Sequence, residues 1–170
     1  MLPVMDVPMD RPTPPSEVRA ALRVPSAELG PIRRVMLATD LSPASGPAAA
    51  QAISTASVHR AQLIVLSVVD PKLLRLPSGR FLRRIDQERA QVEAGAHEIA
   101  TRARQAGIDA RYLVWEGDPA EVILEAAAAE EPDVVVMGSH GRGPIGRLIM
   151  GSVSRRVSDG ASCRVVVVPG

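Results

Sequence analysis

Short runs of apolar residues alternate with longer segments of helical periodicity from residue 33 onward. The run from Leu63 to Val69 shows no regular polar–apolar alternation, which is typical of a strand buried on both faces. The segment before it spaces Ala49, Ala52, Ile53 and Ala56 three or four residues apart, as on one face of a helix. Strands that alternate with helices favour one parallel sheet with helices on both faces. The pattern therefore predicts an α/β fold, with a single doubly wound domain.

The predicted elements follow the order β-α-β-α-β-α-β-α-β. Gly107 is expected to end the second helix, and Pro71–Arg80 to form the loop before that helix. Ser42 or Ser45 is the expected N-cap of the first helix, and Asp118 is the expected N-cap of the third. The predicted strands are Val35–Thr39, Leu63–Val69, Arg111–Trp115, Asp133–Met137 and Val165–Val168, and the predicted helices are Ser45–His59, Phe81–Ala106, Pro119–Glu130 and Ser152–Ser158.

Residues 1–31 differ in composition from the rest of the chain. Proline fixes φ and donates no backbone hydrogen bond, so a proline-rich segment excludes long helices and central strands. We therefore expect a flexible N-terminal extension over residues 1–31 and a folded domain over residues 32–170. Seven of the 15 prolines lie in the extension: Pro3, Pro8, Pro12, Pro14, Pro15, Pro25 and Pro31.

Composition excludes several classes of function. The 20 basic and 19 acidic residues leave a net charge of +1, which argues against a nucleic-acid binder driven by bulk electrostatics. Aromatic residues make up 2% of the chain, too few for the stacking surfaces that bind single-stranded RNA or DNA. The single cysteine, Cys163, excludes an intrachain disulfide and a cysteine-based zinc site. Without a membrane-spanning run or a signal-peptide pattern, a cytoplasmic location is expected.

A glycine-rich segment follows the fourth predicted strand and ends at a predicted helix N-terminus. It runs from Gly138 through Gly141 and Gly143 to Gly151 and Ser152. A helix N-terminus presents unpaired backbone N–H groups and partial positive charge, which suit phosphate oxygens. Glycines let the backbone approach a phosphate closely and turn successive N–H groups inward. The segment is thus either a phosphate-binding loop or a simple turn, and its composition alone leaves both interpretations open.

Two common phosphate-binding patterns are absent from this segment. The loop reads G-x-x-G-x-G rather than the dinucleotide-binding G-x-G-x-x-G, and it follows the fourth strand rather than the first. The P-loop pattern is also absent, because no lysine follows the glycines. A phosphate site formed by this segment would therefore be neither a dinucleotide-binding loop nor a P-loop.

The spacing of these glycines resembles the nucleotide-binding signature of the universal stress protein family. That signature has two glycines three residues apart, then nine residues, then Gly-Ser, here Gly138, Gly141, Gly151 and Ser152. The resemblance extends in order over residues 32–170. Its other matching segments are Arg33–Ser42, Val65–Asp70, Gly117–Pro119, Asp133–Gly138 and Val165–Pro169.

The resemblance implies a five-stranded parallel sheet in the order 3-2-1-4-5 and an ATP site between strands 1 and 4, with Mg²⁺ held through the phosphates rather than by a protein metal site. Ala38, Thr39, Asp40 and Val68 would surround the adenine and ribose. The ribose and phosphates would lie against Gly138, Gly141, Gly151, Ser152 and Val153. The remaining implied nucleotide-binding residues are Met137, Ser139, His140 and Arg142.

Several of these residues also admit a simpler role. Asp40 is suited to cap the turn before the first helix, and Val68 to fill the core. His140 has no assignable partner for base catalysis, so we expect it to contribute only a backbone N–H. Arg142 can neutralise phosphate or merely lie in solvent, and Ser139 can donate to phosphate or shape the turn. No catalytic residue is predicted.

The leading hypothesis is an ATP-binding regulatory protein that acts as a nucleotide-dependent switch in a stress response, with protein partners that the sequence does not identify. One alternative is a protein-interaction module whose pocket is empty or binds another adenine nucleotide, such as a cyclic one. A slow ATPase is another. The family resemblance also implies a homodimer formed through the edge strand Val165–Val168, whose open hydrogen-bonding groups soluble proteins usually cover.

Overall fold

The structure is a computed structural model, and it describes residues 30–71, 78–139 and 150–170. Side chains of residues 78–84 are outside this description. The predicted extension up to residue 29, residues 72–77 of the predicted loop and residues 140–149 of the glycine-rich segment also lie outside the described residues.

The predicted strands and helices are present. The second helix begins at Ser78, earlier than the predicted Phe81, so the end of the predicted loop Pro71–Arg80 is helical. A short 3-10 turn at Pro43–Ser45 precedes the first helix. The strands are β1 Arg34–Ala38, β2 Gln62–Val69, β3 Ala110–Glu116, β4 Val134–Gly138 and β5 Arg164–Val168, and the helices are α1 Gly46–His59, α2 Ser78–Gln105, α3 Pro119–Glu130 and α4 Ser152–Gly160.

All five strands are parallel and lie in the order β3-β2-β1-β4-β5, which confirms the predicted topology. β1 is central, with Ala38 opposite Leu66 of β2 on one side and opposite Met137 of β4 on the other. The chain continues from β1 to its neighbour on one side, and from β4 to its neighbour on the other. The strand order therefore reverses between β1 and β4.

Two hydrophobic cores cover the two faces of the sheet. On the first face, α1 and α2 present alanines, with Ala52 and Ala100 fully buried among them, to strand residues such as Leu37 and Val65. On the second face, α3 and α4 pack against the intervening strand residues, including Met36 and Ile64. Alanine has no side chain beyond Cβ, so the helices of the first face lie close to the sheet. The fully buried alanines of α1 and α2 are Ala48, Ala52, Ala56, Ala96, Ala100 and Ala103.

The ends of the helices confirm some of the predicted caps and correct another. The Asp118 carboxylate accepts a hydrogen bond from the Glu121 backbone N–H, and Gly107 follows α2 with φ of +81°. Ser45 occupies the N-cap position of α1, but its side chain does not cap the helix. Its hydroxyl instead donates to the Ser42 carbonyl, at 2.7 Å. Ser42 precedes the 3-10 turn and likewise makes no side-chain cap.

Asp133 joins β1 to β4 at the amino edge of the sheet. Its Oδ2 accepts hydrogen bonds from the backbone N–H groups of Arg33, at 2.6 Å, and Arg34, at 2.8 Å. Burial raises the pKa of this carboxyl group, but the two backbone donors and the positive charges of Arg164 and Arg34 outweigh burial. The pKa of Asp133 is therefore lowered from its ordinary value of 3.8.

Replacing Asp133 with asparagine (Asp133→Asn) is expected to lower the free energy of unfolding by about 1 kcal/mol at pH 7, because charged acceptors form stronger hydrogen bonds than neutral ones. A lowered folded-state pKa stabilises the fold fully above the unfolded value, and this stabilisation is lost as the pH falls through the folded value. The difference from wild type should therefore shrink below about pH 4. Urea denaturation at several pH values measures it.

The matched control is Asp86→Asn, because Asp86 is exposed on α2. This control should change the free energy of unfolding by less than about 0.5 kcal/mol at either pH. Equal stability of wild type and Asp133→Asn at pH 7 would contradict a stabilising role of the hydrogen bonds from Arg33 and Arg34 to Asp133.

Candidate functional site

The reversal of strand order creates a crevice at the carboxyl edge of the sheet. After β1 the chain turns to α1 on the first face, and after β4 it leads to α4 on the second face. The two segments leave toward opposite faces, so none of the described residues forms a crossover above the paired ends of β1 and β4. Such a topological switch point is where open parallel sheets bind ligands.

Residues 39–45, the β1–α1 loop, form one wall of the crevice. The Thr39 backbone N–H continues the sheet by donating to the Leu66 carbonyl, at 3.0 Å. The Thr39 hydroxyl lies 2.9 Å from the Ser45 hydroxyl and accepts from the Leu41 N–H at 3.0 Å. Leu41 has φ of +60°, the left-handed conformation that non-glycine residues rarely adopt. The loop thus has a defined backbone course next to the crevice.

Asp40 forms the turn that one sequence interpretation assigned to it. Its Oδ1 accepts from the Ser42 backbone N–H, at 3.1 Å, and from the Ser42 hydroxyl, at 2.7 Å. This is an aspartate turn, in which the carboxylate replaces a backbone carbonyl. The capping role is therefore present, and it places the partly buried Asp40 carboxylate directly after β1, at the switch point.

The opposite wall is formed where β4 meets the start of α4. The Ser139 N–H donates to Val168 of β5, and the Ser139 carbonyl accepts from the Gly151 N–H, both at 2.8 Å. The buried Ser154 hydroxyl shares its one proton between two carbonyl oxygens, that of Ser139 at 3.2 Å and that of Gly151 at 3.0 Å. These bonds hold the two ends of the glycine-rich segment together.

The N-terminus of α4 begins at a residue that has no side chain. Gly151 is the N-cap, with φ of −64° and ψ of 161°, a conformation open to any residue. Glycine is therefore not required here for conformational freedom. It leaves the first amides of α4 without a side-chain cap, and no acidic residue lies in the first turn. Such an N-terminus can accept an anion.

The structure brings several of the predicted site residues to the same face of the sheet. Ala38 and Met137 are opposite each other in the ladder between β1 and β4, and both belong to the second-face core. Val68 and Val153 pack against that core while remaining partly exposed. The hydroxyl of Thr39 instead contacts Ser45, at the start of α1. Gly138, Ser139, Gly151 and Ser152 lie at the two ends of the segment, whereas His140, Gly141 and Arg142 lie outside the described residues.

A shallow pocket of about 210 Å³ adjoins the β1–α1 loop on the side of α2. Leu41 lies in its wall, and α2 approaches the loop closely there, because a Cβ atom at Gly95 would lie 2.8 Å from Leu41 Cδ1. No local sequence pattern indicates this contact, because residues 41 and 95 are far apart in the chain. The pocket is lined by Asp40, Leu41, Ser42, Glu88, Gln91 and Val92.

The part of the chain that the structure describes contains neither a metal-type cluster of side chains nor a membrane-spanning helix. Within residues 30–71, 78–139 and 150–170, histidine, cysteine and acidic side chains form no group of three that suits a metal ion. Among the helices in the same ranges, none has the length and hydropathy required to cross a membrane.

The fold and crevice define the class of doubly wound α/β proteins with a topological switch point. Residues 31–169 match the model of the universal stress protein family. The chain therefore belongs to the universal stress protein family.

Known relatives match most of the chain. A universal stress protein of Thermus aquaticus is 36% identical over 139 residues, which cover 80% of this chain and 98% of the relative. Universal stress protein UspA from Lactobacillus plantarum has a TM-score of 0.73 at 25% identity, covering 82% of this chain and 99% of that one. A universal stress protein solved in complex with cAMP has a TM-score of 0.62 at 26% identity, covering 82% and 98%.

Ser154 is a site-supporting residue that the sequence analysis missed. Its position three residues after Gly151 is the only local signal, since a serine there can bond back to the carbonyl that precedes the helix. The second bond, to Ser139, joins residues 15 positions apart and depends on the tertiary fold.

Replacing the buried Ser154 with alanine (Ser154→Ala) is expected to lower the free energy of unfolding by about 1 kcal/mol, because the one hydroxyl proton shared by the Ser139 and Gly151 carbonyls is lost. The Gly151 amide should also exchange its hydrogen faster. Urea denaturation and hydrogen exchange measure the two effects. Ser158→Ala, at an exposed position of the same helix, is the control, and a loss of stability no larger than that of the control would refute the role.

Proposed function

We propose that this protein binds ATP at the switch point and acts as a nucleotide-dependent regulatory switch in a stress response. The observation that carries the proposal is the junction of Ser139 with Gly151, which places an uncapped helix N-terminus beside the end of β4. Main-chain amides would bind the phosphates there, and Mg²⁺ held by the phosphates would offset their charge.

The remaining walls of the crevice suit the nucleoside. The apolar side chains of Ala38, Val68 and Met137 share one face and would contact the adenine. Asp40 directly follows β1 and would contact the ribose or base. Ser152 and Val153 would approach the phosphates from the first turn of α4, together with Gly138, Ser139, His140, Gly141 and Arg142 from the glycine-rich segment.

The free energy of binding that such a site can provide is sufficient for micromolar affinity. A dissociation constant of 1 μM corresponds to about −8 kcal/mol. Charge-assisted hydrogen bonds contribute about 1.5–3 kcal/mol each, and a helix N-terminus adds up to about 2 kcal/mol in favourable geometry. Several backbone donors therefore suffice, after the cost of ordering the ligand.

A cyclic adenine nucleotide is the second candidate ligand. It is favoured by the similar universal stress protein that was solved with cAMP, at 26% identity. Both ligands share the adenosine moiety and differ in the length and charge of the phosphate, so direct competition distinguishes them.

We also propose that β5 mediates a homodimer. β5 is an edge strand that pairs only with β4 in the described residues, and Val166 in its middle is 40% exposed. An apolar edge strand with unpaired backbone groups favours pairing with a second copy.

The cytoplasmic location of the protein stays a prediction.

Calorimetric titration of the purified protein with Mg-ATP is expected to show micromolar binding, and anion-exchange chromatography of the heat-released fraction should detect any co-purified nucleotide. Replacing Gly151 with valine (Gly151→Val) should weaken ATP binding at least about tenfold, because a side chain at the helix N-cap holds phosphate away from the amides. Titration with cAMP tests the cyclic nucleotide as a ligand. An assay for released phosphate tests whether the protein hydrolyses ATP.

The control for this variant is Gly46→Ala, because a Cβ atom at Gly46 would meet nothing within 4 Å. Undiminished ATP affinity in folded Gly151→Val protein would overturn the backbone-binding proposal. The absence of any heat with wild type would overturn ATP binding itself.

Replacing Val166 with lysine (Val166→Lys) is expected to convert a dimer into a monomer at micromolar concentration, because a charged residue in an edge strand opposes pairing. Sedimentation velocity measures the change. Val58→Lys is the matched control, since Val58 is a 75% exposed valine on α1, away from β5. A monomeric wild type, or a Val166→Lys variant that remains dimeric, would contradict the proposed interface.

A further inference from the structure

The hydroxyl groups of the β1–α1 loop form a chain of hydrogen bonds with a single direction. Ser45 donates its one hydroxyl proton to the Ser42 carbonyl, so its oxygen must accept the proton of the Thr39 hydroxyl. Thr39 Oγ1 in turn accepts from the Leu41 backbone N–H. The chain therefore runs from Leu41 through Thr39 and Ser45 to Ser42, and it closes the loop upon itself.

Both hydroxyl groups are removed from solvent, which makes their pairing obligatory. Ser45 is 5% exposed and Thr39 is 7% exposed. A buried hydroxyl proton without an acceptor is costly, so loss of Ser45 leaves the Thr39 proton unpaired. Loss of Thr39 removes the donor to Ser45 and the acceptor of the Leu41 amide. The two side chains consequently act as one unit.

A second, independent contact holds the same loop from outside. Leu41 adopts the unfavourable left-handed conformation, and its side chain occupies the space beside Gly95 of α2. A Cβ atom at position 95 would lie 2.8 Å from Leu41 Cδ1, so the end of the Leu41 side chain would have to shift. The left-handed residue is therefore held by a hydrogen bond to its amide and by packing against α2.

Asp40 lies between these two fixed residues. The Thr39 amide is bound to β2, the Leu41 amide is bound to the Thr39 hydroxyl, and the Asp40 carboxylate is bound by Ser42. The backbone on both sides of Asp40 is thus positioned before any ligand arrives. A loop that is already ordered in the free protein loses little conformational entropy when a ligand binds, so its ordering does not weaken the affinity.

We propose that Ser45, a buried residue at the end of the β1–α1 loop where α1 begins, is a positioning residue for the nucleoside end of the ligand. This inference rests on the proposed function. Through Thr39, Ser45 fixes the loop that presents Asp40 to the crevice. Its action is confined to the β1 side of the switch point, so it leaves the phosphate end at α4 unaffected.

The test compares Mg-ATP with inorganic tripolyphosphate, which probes only the phosphate end. Replacing Ser45 with alanine (Ser45→Ala) should weaken Mg-ATP binding about fivefold to tenfold while leaving tripolyphosphate binding unchanged. Gly151→Val should weaken binding of both probes. Ser57→Ala, on an exposed turn of α1, is the matched control and should alter neither.

A double-mutant cycle with Thr39→Val separates positioning from general destabilisation. Because the two hydroxyl groups act as one unit, Ser45→Ala should add less than about twofold to the loss of ATP affinity in a Thr39→Val background. Equal losses for Mg-ATP and tripolyphosphate would indicate a merely structural role and overturn the proposal. Unchanged ATP affinity in Ser45→Ala would also overturn it.

A ligand-free measurement keeps this proposal separate from the proposed function. Hydrogen exchange at the Leu41 amide should accelerate at least about tenfold in Ser45→Ala relative to Ser57→Ala, because the acceptor of that amide loses its own partner. Faster exchange together with no ATP binding by wild type would reject the proposed function while retaining the ordering of the loop. Unchanged exchange would reject the ordering itself.

Discussion

The backbone hydrogen bonds between β1 and β4 are the interaction on which the rest of the structure depends. They join strands that are about a hundred residues apart in the chain and whose continuations leave toward opposite faces of the sheet. At the carboxyl edge this pairing places the loop after Thr39 beside Ser139 and thereby forms the crevice. At the amino edge the Asp133 carboxylate binds two amides at the start of β1. The same strand pair therefore forms the floor of the crevice at its carboxyl edge and is held together by Asp133 at its amino edge.

The walls of the crevice consist mainly of main-chain groups whose course is set by small hydroxyl side chains. Ser154 holds Gly151 to the end of β4, and Thr39 with Ser45 holds the loop after β1. Neither arrangement places a lysine or histidine in the described walls of the crevice. A site of this kind relies on the direction of backbone dipoles, so its chemistry is less visible in composition than that of a metal centre or a catalytic triad.

The alternation of apolar runs and helical segments was sufficient to predict the strands, the helices and the parallel sheet, because burial on both faces removes polar residues from the strands. The strand order came from the family resemblance, since periodicity does not say which strands are neighbours. Local capping rules succeeded at Asp118, whose partner lies three residues away, and failed at Ser45, whose hydroxyl is engaged by Thr39 across the loop. The pairing of Ser139 with Ser154, and the contact of Leu41 with Gly95, depend on tertiary neighbours that no local pattern encodes.

The alanine-faced helices have a consequence for how this sequence can change over evolution. On the first face, the larger side chains of the core belong mostly to the strands, and the small alanines let the helices lie close to the sheet. A chain with 2% aromatic residues can therefore still fill its interior. A larger residue at Ala52 or Ala100 would have to lift a whole helix away from the sheet, whereas exchanges among valine, isoleucine and leucine on the strands change volume by only a methylene or a branch point. Substitutions accepted on this face are therefore expected to lie mainly in the strands. The helical alanines should stay unchanged, because they set the distance between the helices and the sheet.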